Sequence, residues 1–190
     1  NGLNVVTSIG GNLDIAGNDD LISLGGLDNL NYIGGSLILG HFDMFNGWCY
    51  SSNLLLSNLT GLEQLDSIGG SLQIICTQLN DLTGLESLTT IGHSLTIFIN
   101  ENLTTLAGLD NLSLIGEDLS IGETWIWGIP IGNESLINLT SLSNLSSIGG
   151  NLTIIGNNQL NNLFGIENIE AQTIDSLTIT SNNSLSTCDV

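Results

Sequence analysis

Ile9-Gly-Gly-Asn-Leu-Asp-Ile-Ala-Gly-Asn-Asp-Asp-Leu-Ile-Ser-Leu-Gly-Gly-Leu-Asp-Asn-Leu-Asn-Tyr32 decides the fold, because the chain states this pattern about seven times. The Ile-Gly or Ile-Asp pair recurs at Ile9, Ile33, Ile68, Ile91, Ile115, Ile148 and Ile174, with successive spacings of 24, 35, 23, 24, 33 and 26 residues. A period near 24 residues is neither one helix nor one hairpin. Each unit must be a coil that hides its apolar side by stacking on its neighbours.

Inside each unit the apolar residues alternate: Leu13-Asp14-Ile15, Leu37-Ile38-Leu39, Leu72-Gln73-Ile74, Leu95-Thr96-Ile97, Leu119-Ser120-Ile121, Leu152-Thr153-Ile154 and Leu177-Thr178-Ile179. Period two predicts a strand whose outer pair is buried and whose middle residue is exposed. Stacking then predicts a β-solenoid with one parallel sheet of about seven short strands, a single domain over residues 1–190. Positions such as Leu21, Leu24, Leu27 and Leu30 fill its other walls, and Gly10-Gly11 and its equivalents allow a sharp corner. Shortly after each strand stands a polar residue: Asn18, Asn53, Thr77, Asn100, Asn133, Asn157 and Asn182. A polar group repeated at one inward corner reads as a ladder that satisfies backbone groups left unpaired by the turn.

The units resemble the leucine-rich-repeat-like, receptor-L-domain-like repeats of secreted Bacteroidota surface proteins. The ending carries the likeness most clearly, with Gly165-Ile166-Glu167-Asn168-Ile169-Glu170, Leu177-Thr178-Ile179 and Asn183-Ser184-Leu185-Ser186-Thr187-Cys188-Asp189-Val190. The resemblance covers nearly the whole chain and implies a right-handed coil stack at the cell surface or outside the cell. In that family the Cys-Asp-Val-like ending runs on into a short cap with another Cys, often towards a type IX secretion sorting domain. Here Cys188 is expected to lack that local partner, and the last coil face to be uncapped. The start, Asn1 to Asn4, has neither an initiator Met nor the basic and apolar segments of a signal peptide, so a mature or excised segment is expected.

Composition narrows the function classes. The 190 residues are 41% hydrophobic and carry 19 acidic side chains with no Lys or Arg, a formal charge of −19. Nucleic acid is excluded as a partner, because phosphate neutralisation needs cationic side chains. Anionic membrane surfaces are excluded for the same reason, and no apolar run is long enough for membrane insertion. Long-range electrostatics within the chain are repulsive and relieved only by salt or bound cations. A medium of appreciable ionic strength is expected, and melting temperature should rise from low to moderate NaCl.

The two long spacings exceed the period by 11 and 9 residues, placing insertions at residues 41–52 and 122–132 on one flank, three coils apart. With about 4.8 Å between strands, their roots lie roughly 14 Å from each other. All three tryptophans are there, Trp48, Trp125 and Trp127, with Phe42, Met44, Phe45, Tyr50 and the only proline, Pro130. Phe42, Phe45, Trp48, Tyr50, Trp125 and Trp127 form a candidate contact surface for a sugar ring or another protein. The alternative is that they fold down over an apolar wall.

Cys49 lies in the first insertion and Cys76 just after the third strand, so a disulfide tying the loop down in an oxidising compartment is the preferred pairing. A metal site from His41, Asp43, Cys49 and Cys76 is the other reading, without recognisable ligand spacing. His93 at a Gly corner reads as a solvated imidazole. Of eight Asn-x-Ser/Thr sequons, Asn133 and Asn182 fall on ladder positions, whereas Asn58, Asn102, Asn111, Asn138, Asn144 and Asn151 fall at positions expected to be exposed and glycosylated. The resemblance adds an alternative, modification of Ser or Thr after Asp, matched by Asp66-Ser67-Ile68 and Asp175-Ser176-Leu177.

No catalytic set, phosphate loop or cofactor motif stands in its required context, so no enzyme is expected. Weak Ca2+ binding at Asp19-Asp20 or Glu117-Asp118 competes with the plainer reading of solvated acidic pairs. Three functions follow: a structural or adhesive module that self-associates end to end or meets other surface proteins or glycans, a carbohydrate-binding module using the Trp loops, and an ice or crystal-surface binder using Thr96, Ser120, Thr153 and Thr178.

Overall fold

The computed structural model describes residues 2–50, 53–125 and 127–186. Cys188 and the rest of the Cys-Asp-Val ending lie outside the described residues, as do Ser51 and Ser52 of the first insertion and Ile126 of the second.

The architecture is almost wholly parallel β. Seven strands, Leu13–Ile15, Leu37–Leu39, Leu72–Ile75, Leu95–Phe98, Leu119–Ile121, Asn151–Ile155 and Ser176–Thr180, form one sheet in which sequence order is also spatial order. The register is strict: Leu13, Leu37, Leu72, Leu95, Leu119, Leu152 and Leu177 stand side by side. Period-two alternation makes this register costly to slip, since a one-residue shift would turn every buried Leu and Ile to the other face.

A single sheet was expected, and there are two. The residue before each Gly corner pairs with its counterparts as well, giving a six-stranded parallel sheet of two-residue strands, Ser8–Ile9, Tyr32–Ile33, Ser67–Ile68, Thr90–Ile91, Leu114–Ile115 and Ser147–Ile148. The seventh equivalent, at Ile174, follows a 3-10 turn over Ala171–Thr173 and is not a strand. Among the described residues there is no α-helix, and no helix long and apolar enough to cross a membrane.

The Gly corners are needed for a different reason from the one expected. A Cβ on Gly92 would lie 2.2 Å from the carbonyl oxygen of Gly69, one on Gly116 2.0 Å from that of Gly92, and one on Gly149 2.1 Å from that of Gly116. Close approach of stacked backbones, rather than a special φ, excludes a side chain there.

Between the sheets the leucines form columns. Leu56, Leu79, Leu103, Leu136 and Leu160 are one; Leu62, Leu85, Leu109 and Leu142 are another; all are fully buried. Each such side chain contributes about 1.5–3 kcal/mol through burial. The alternation rule softens at the ends, where Leu13 is half-buried and Leu177 is 54% exposed. The middle residues Ile38, Gln73, Thr96, Ser120, Thr153 and Thr178 are half-buried rather than open, with only Asp14 exposed.

The polar ladder closes the corner after the seven-stranded sheet. The Asn100, Asn133, Asn157 and Asn182 Oδ1 atoms accept the backbone N–H of Thr77, Asn100, Asn133 and Asn157 respectively. Their Nδ2 groups donate to the carbonyls of Ile74, Ile97, Ile121 and Ile154 in the preceding repeat. Asn53 does the same for Asn18 N–H and the Ile15 carbonyl. The residue before the ladder position is left-handed at Gly17 and Gly156 and also at three residues that are not glycine, with φ of 57° at Cys76, 54° at Ile99 and 59° at Ser181. For β-branched Ile99 that conformation costs of order 1–3 kcal/mol, offset by the ladder and packing around it.

The acidic residues have a repeated place too. Asp28, Glu63, Glu86, Asp110 and Glu167 accept the N–H of Gly26, Gly61, Gly84, Gly108 and Gly165, each two residues upstream. Carboxylates that have no cation to pair with thus satisfy backbone donors instead.

Candidate functional site

Each long spacing forms a small antiparallel hairpin. The first pairs His41–Asp43 with Trp48–Tyr50; the second pairs Glu123–Thr124 with Pro130–Ile131. Both leave the seven-stranded sheet through a glycine that the other repeats replace by Ala16, Ile75, Phe98, Ile155 or Thr180. Gly40 has φ +77° and Gly122 φ +93°, and an added Cβ would lie 2.2 Å from the Ile75 carbonyl oxygen and 1.7 Å from that of Ile155. The chain can turn out of the stack only where a glycine permits both the backbone conformation and the close approach.

The first hairpin has two faces, because strand residues alternate. Phe42 and Cys49, directly opposite each other, face the body of the protein. Phe42 packs on a small second core of Ile75, Cys76 and Phe98, meeting the Phe98 ring edge-on at 5.8 Å. Cys49 forms a disulfide with the buried Cys76, the Cα atoms being 5.6 Å apart. Both sulfurs that a metal site would need are committed to that bond.

The opposite face carries His41, Asp43, Trp48 and Tyr50. His41 stacks on Tyr50 with ring centroids 5.6 Å apart and is held by Asp14, whose Oδ1 lies 3.2 Å from Nε2. Asp43 accepts the N–H of Phe45 at 2.8 Å and of Asn46 at 3.1 Å, with the Asn46 side-chain amide on its other oxygen. The Asn46 side chain first, then the Asn46 and Phe45 backbone donors, hold the Asp43 carboxyl below its ordinary range.

The two hairpins, separated by three repeats in the sequence, touch. Trp125 is half-buried, and its indole N–H donates to the Met44 carbonyl in the tip of the first hairpin. Its ring lies against Gly47, where a Cβ would stand 2.4 Å away. Of the six aromatic residues singled out, Phe42 and Trp125 are used within the molecule. Phe45, Trp48, Tyr50 and Trp127 are 84%, 67%, 53% and 72% exposed. Sequence reasoning missed Met44 and Gly47 as the seat of Trp125. The only signal available was that a glycine directly follows the alternating triplet, at Gly40 and Gly122, in just the two inserted repeats.

Elsewhere, Asn102, Asn111, Asn144 and Asn151 are exposed, while Asn58 and Asn138 are half-buried and turn Oδ1 onto the N–H of Thr60 and Thr140. Asn111 and Asn144 donate to the carbonyls of Glu86 and Asp110 in the preceding repeat, so these sequon amides also join neighbours. Asn133 is fully buried and Asn182 is 9% exposed. His93 is exposed, 3.8 Å from Glu117. Asp19 and Asp20 are exposed, and Asp118 accepts from the backbone and side chain of Asn151. Among the described residues no three His, Cys, Asp or Glu side chains gather as a metal set. Thr96, Ser120, Thr153 and Thr178 stand in register across the seven-stranded sheet, flanked by Gln73, Ile38 and Asp14.

Comparison of the chain with family models, with curated proteins and with solved structures finds no match.

Proposed function

We propose that this chain is a non-enzymatic adhesive module of the cell exterior, a right-handed solenoid of leucine-rich-repeat-like coils that meets its partner through the paired hairpins. The observation that carries this reading is the division of the aromatic residues. Phe42 and Trp125 hold the hairpins in place, while Phe45, Trp48, Tyr50 and Trp127 are left exposed on a pinned surface. Monomeric proteins seldom expose large aromatic side chains together without a partner for them, and a held surface loses little conformational entropy on binding. The Cys49–Cys76 disulfide supports an oxidising compartment, and Asn102, Asn111, Asn144 and Asn151 are the exposed sequons, each with its Nδ2 donating to a neighbouring repeat. The test is binding to surface glycans and surface proteins of the source cell, comparing the natural chain with a Trp48→Ala/Trp127→Ala variant. Binding reduced at least about tenfold, with unchanged thermal unfolding, supports the surface; equal binding by both removes it.

A second reading, end-to-end association, is favoured by the two end repeats. At one end Val6, Ile9, Leu13, Leu21 and Leu24 line a hollow of about 490 Å3, and at the other Leu163, Ile166, Ile169, Ile174 and Ile179 line one of about 460 Å3. Light scattering across a concentration series tests it: growth in mass supports stacking, and a constant monomer mass excludes it.

A further inference from the structure

The hairpin reading leaves the chemistry of the partner open, and the outward face of the first hairpin narrows it. Cross-strand pairing sets Asp43 directly opposite Trp48 and His41 directly opposite Tyr50. Because Phe42 and Cys49 are committed inward, these four side chains share the outward face. Asp43 is anchored by three hydrogen bonds from Phe45 and Asn46, which leave part of its acceptor capacity free. Those same bonds keep it ionised. Asp14 adds a second carboxylate beside the His41–Tyr50 stack.

The face therefore sets electron-rich rings beside fixed negative charge. Such a combination attracts a cation twice over, through the ring quadrupole and through the carboxylate. It repels an anion, and nothing in the chain offsets this, since 19 acidic residues face no Lys or Arg. A neutral sugar would stack on the rings and donate hydroxyl hydrogen bonds to the carboxylates, yet would leave their negative charge uncompensated.

We propose that the outward face of the first hairpin, formed by Asp43, Trp48, Tyr50 and His41, docks an arginine- or lysine-bearing segment of a partner protein. This rests on the reading of the hairpins as the contact surface and specifies what that surface selects. Guanidinium fits best, because its plane stacks on an indole while its N–H groups reach a carboxylate. The strong net charge of the chain also speeds the approach of a basic partner.

The test uses a short Arg-Gly repeat peptide and its citrulline counterpart, which keeps the shape and removes the charge. Each is titrated calorimetrically into the intact, oxidised chain at moderate salt. Saturable binding of the Arg peptide is expected, weakened at least about tenfold by Trp48→Ala/Tyr50→Ala and by Asp43→Asn, with no saturable binding of the citrulline peptide. Equal binding of both peptides overturns the cation preference while leaving the contact surface standing. So does a neutral glycan that binds through Trp48 when the Arg peptide does not. Arg-peptide binding that survives Trp48→Ala/Tyr50→Ala also overturns it, because the attraction is then diffuse charge. If neither the peptides nor any glycan responds to loss of Trp48, Tyr50 or Trp127, the contact surface falls with it.

Discussion

The stacked repeats and the two hairpins are held together in opposite ways. In the repeats every role is filled many times over: one Leu column, one Asn ladder and one row of glycines recur from unit to unit. In the hairpins each contact is made once, by Phe42 on Phe98, by Cys49 on Cys76 and by Trp125 on Met44 and Gly47. Repetition spreads stability over many small equal terms and leaves little freedom at any position, because each residue must fit its copy above and below. Single contacts allow variety, and it is on the hairpins that exposed aromatic residues accumulate.

The sharpest way to break this contrast is at the glycine where the two regions join. Gly122→Ala should destabilise the protein by about 4 kcal/mol or more, read from the urea midpoint, because the new Cβ meets the Ile155 carbonyl and φ is positive. Cys49→Ser removes a cross-link between residues 27 apart and should cost about 3–4 kcal/mol in the same assay. Asn133→Ala strips the Asn100 N–H and side-chain amide of their Oδ1 acceptor and removes one of the two donors to the Ile97 carbonyl in a buried corner, for about 3 kcal/mol. A loss under about 1 kcal/mol would show that the ladder is not what closes the corner.

Trp125→Ala should cost only about 1–2 kcal/mol in global stability, while hydrogen exchange at Met44 to Gly47 accelerates as the hairpins part. Unchanged exchange at the tip would show that the hairpins do not support each other. The smallest effect belongs to Asp43. Its folded-state pKa lies below the ordinary 3.8, so its anchoring of the hairpin tip is complete above that value and is lost as pH falls through the lower folded value. Amide shifts of Phe45 and Asn46 in an NMR titration should follow that midpoint, and a midpoint above 3.8 would contradict the arrangement.

Much of the repeat region was legible because its physics is periodic. Alternating Leu and Ile set the strands and their register, and the recurring Asn marked the buried corner. The second sheet was missed because its strands are only two residues long and carry no alternation to detect. The role of the Gly corners was misread for a related reason: a sequence displays a residue's own conformational freedom but not the distance to the next backbone.

The hairpins show the same boundary at the candidate site. That aromatic residues crowd two insertions is plain from the residue order. Which of them face inward is not, since alternation over three residues gives no sign of which face is covered. By itself, then, the sequence determined the repeat, the buried columns, the ladder positions, the absence of cationic side chains and where irregular segments interrupt the period. Only the tertiary structure decided that the stack has two sheets, that Trp125 reaches across an 81-residue separation to Met44, and that Asp43, Trp48 and Tyr50 share an open face. The first set follows from local pattern repeated at a fixed interval, whereas the second depends on contacts made once, which leave no period to read.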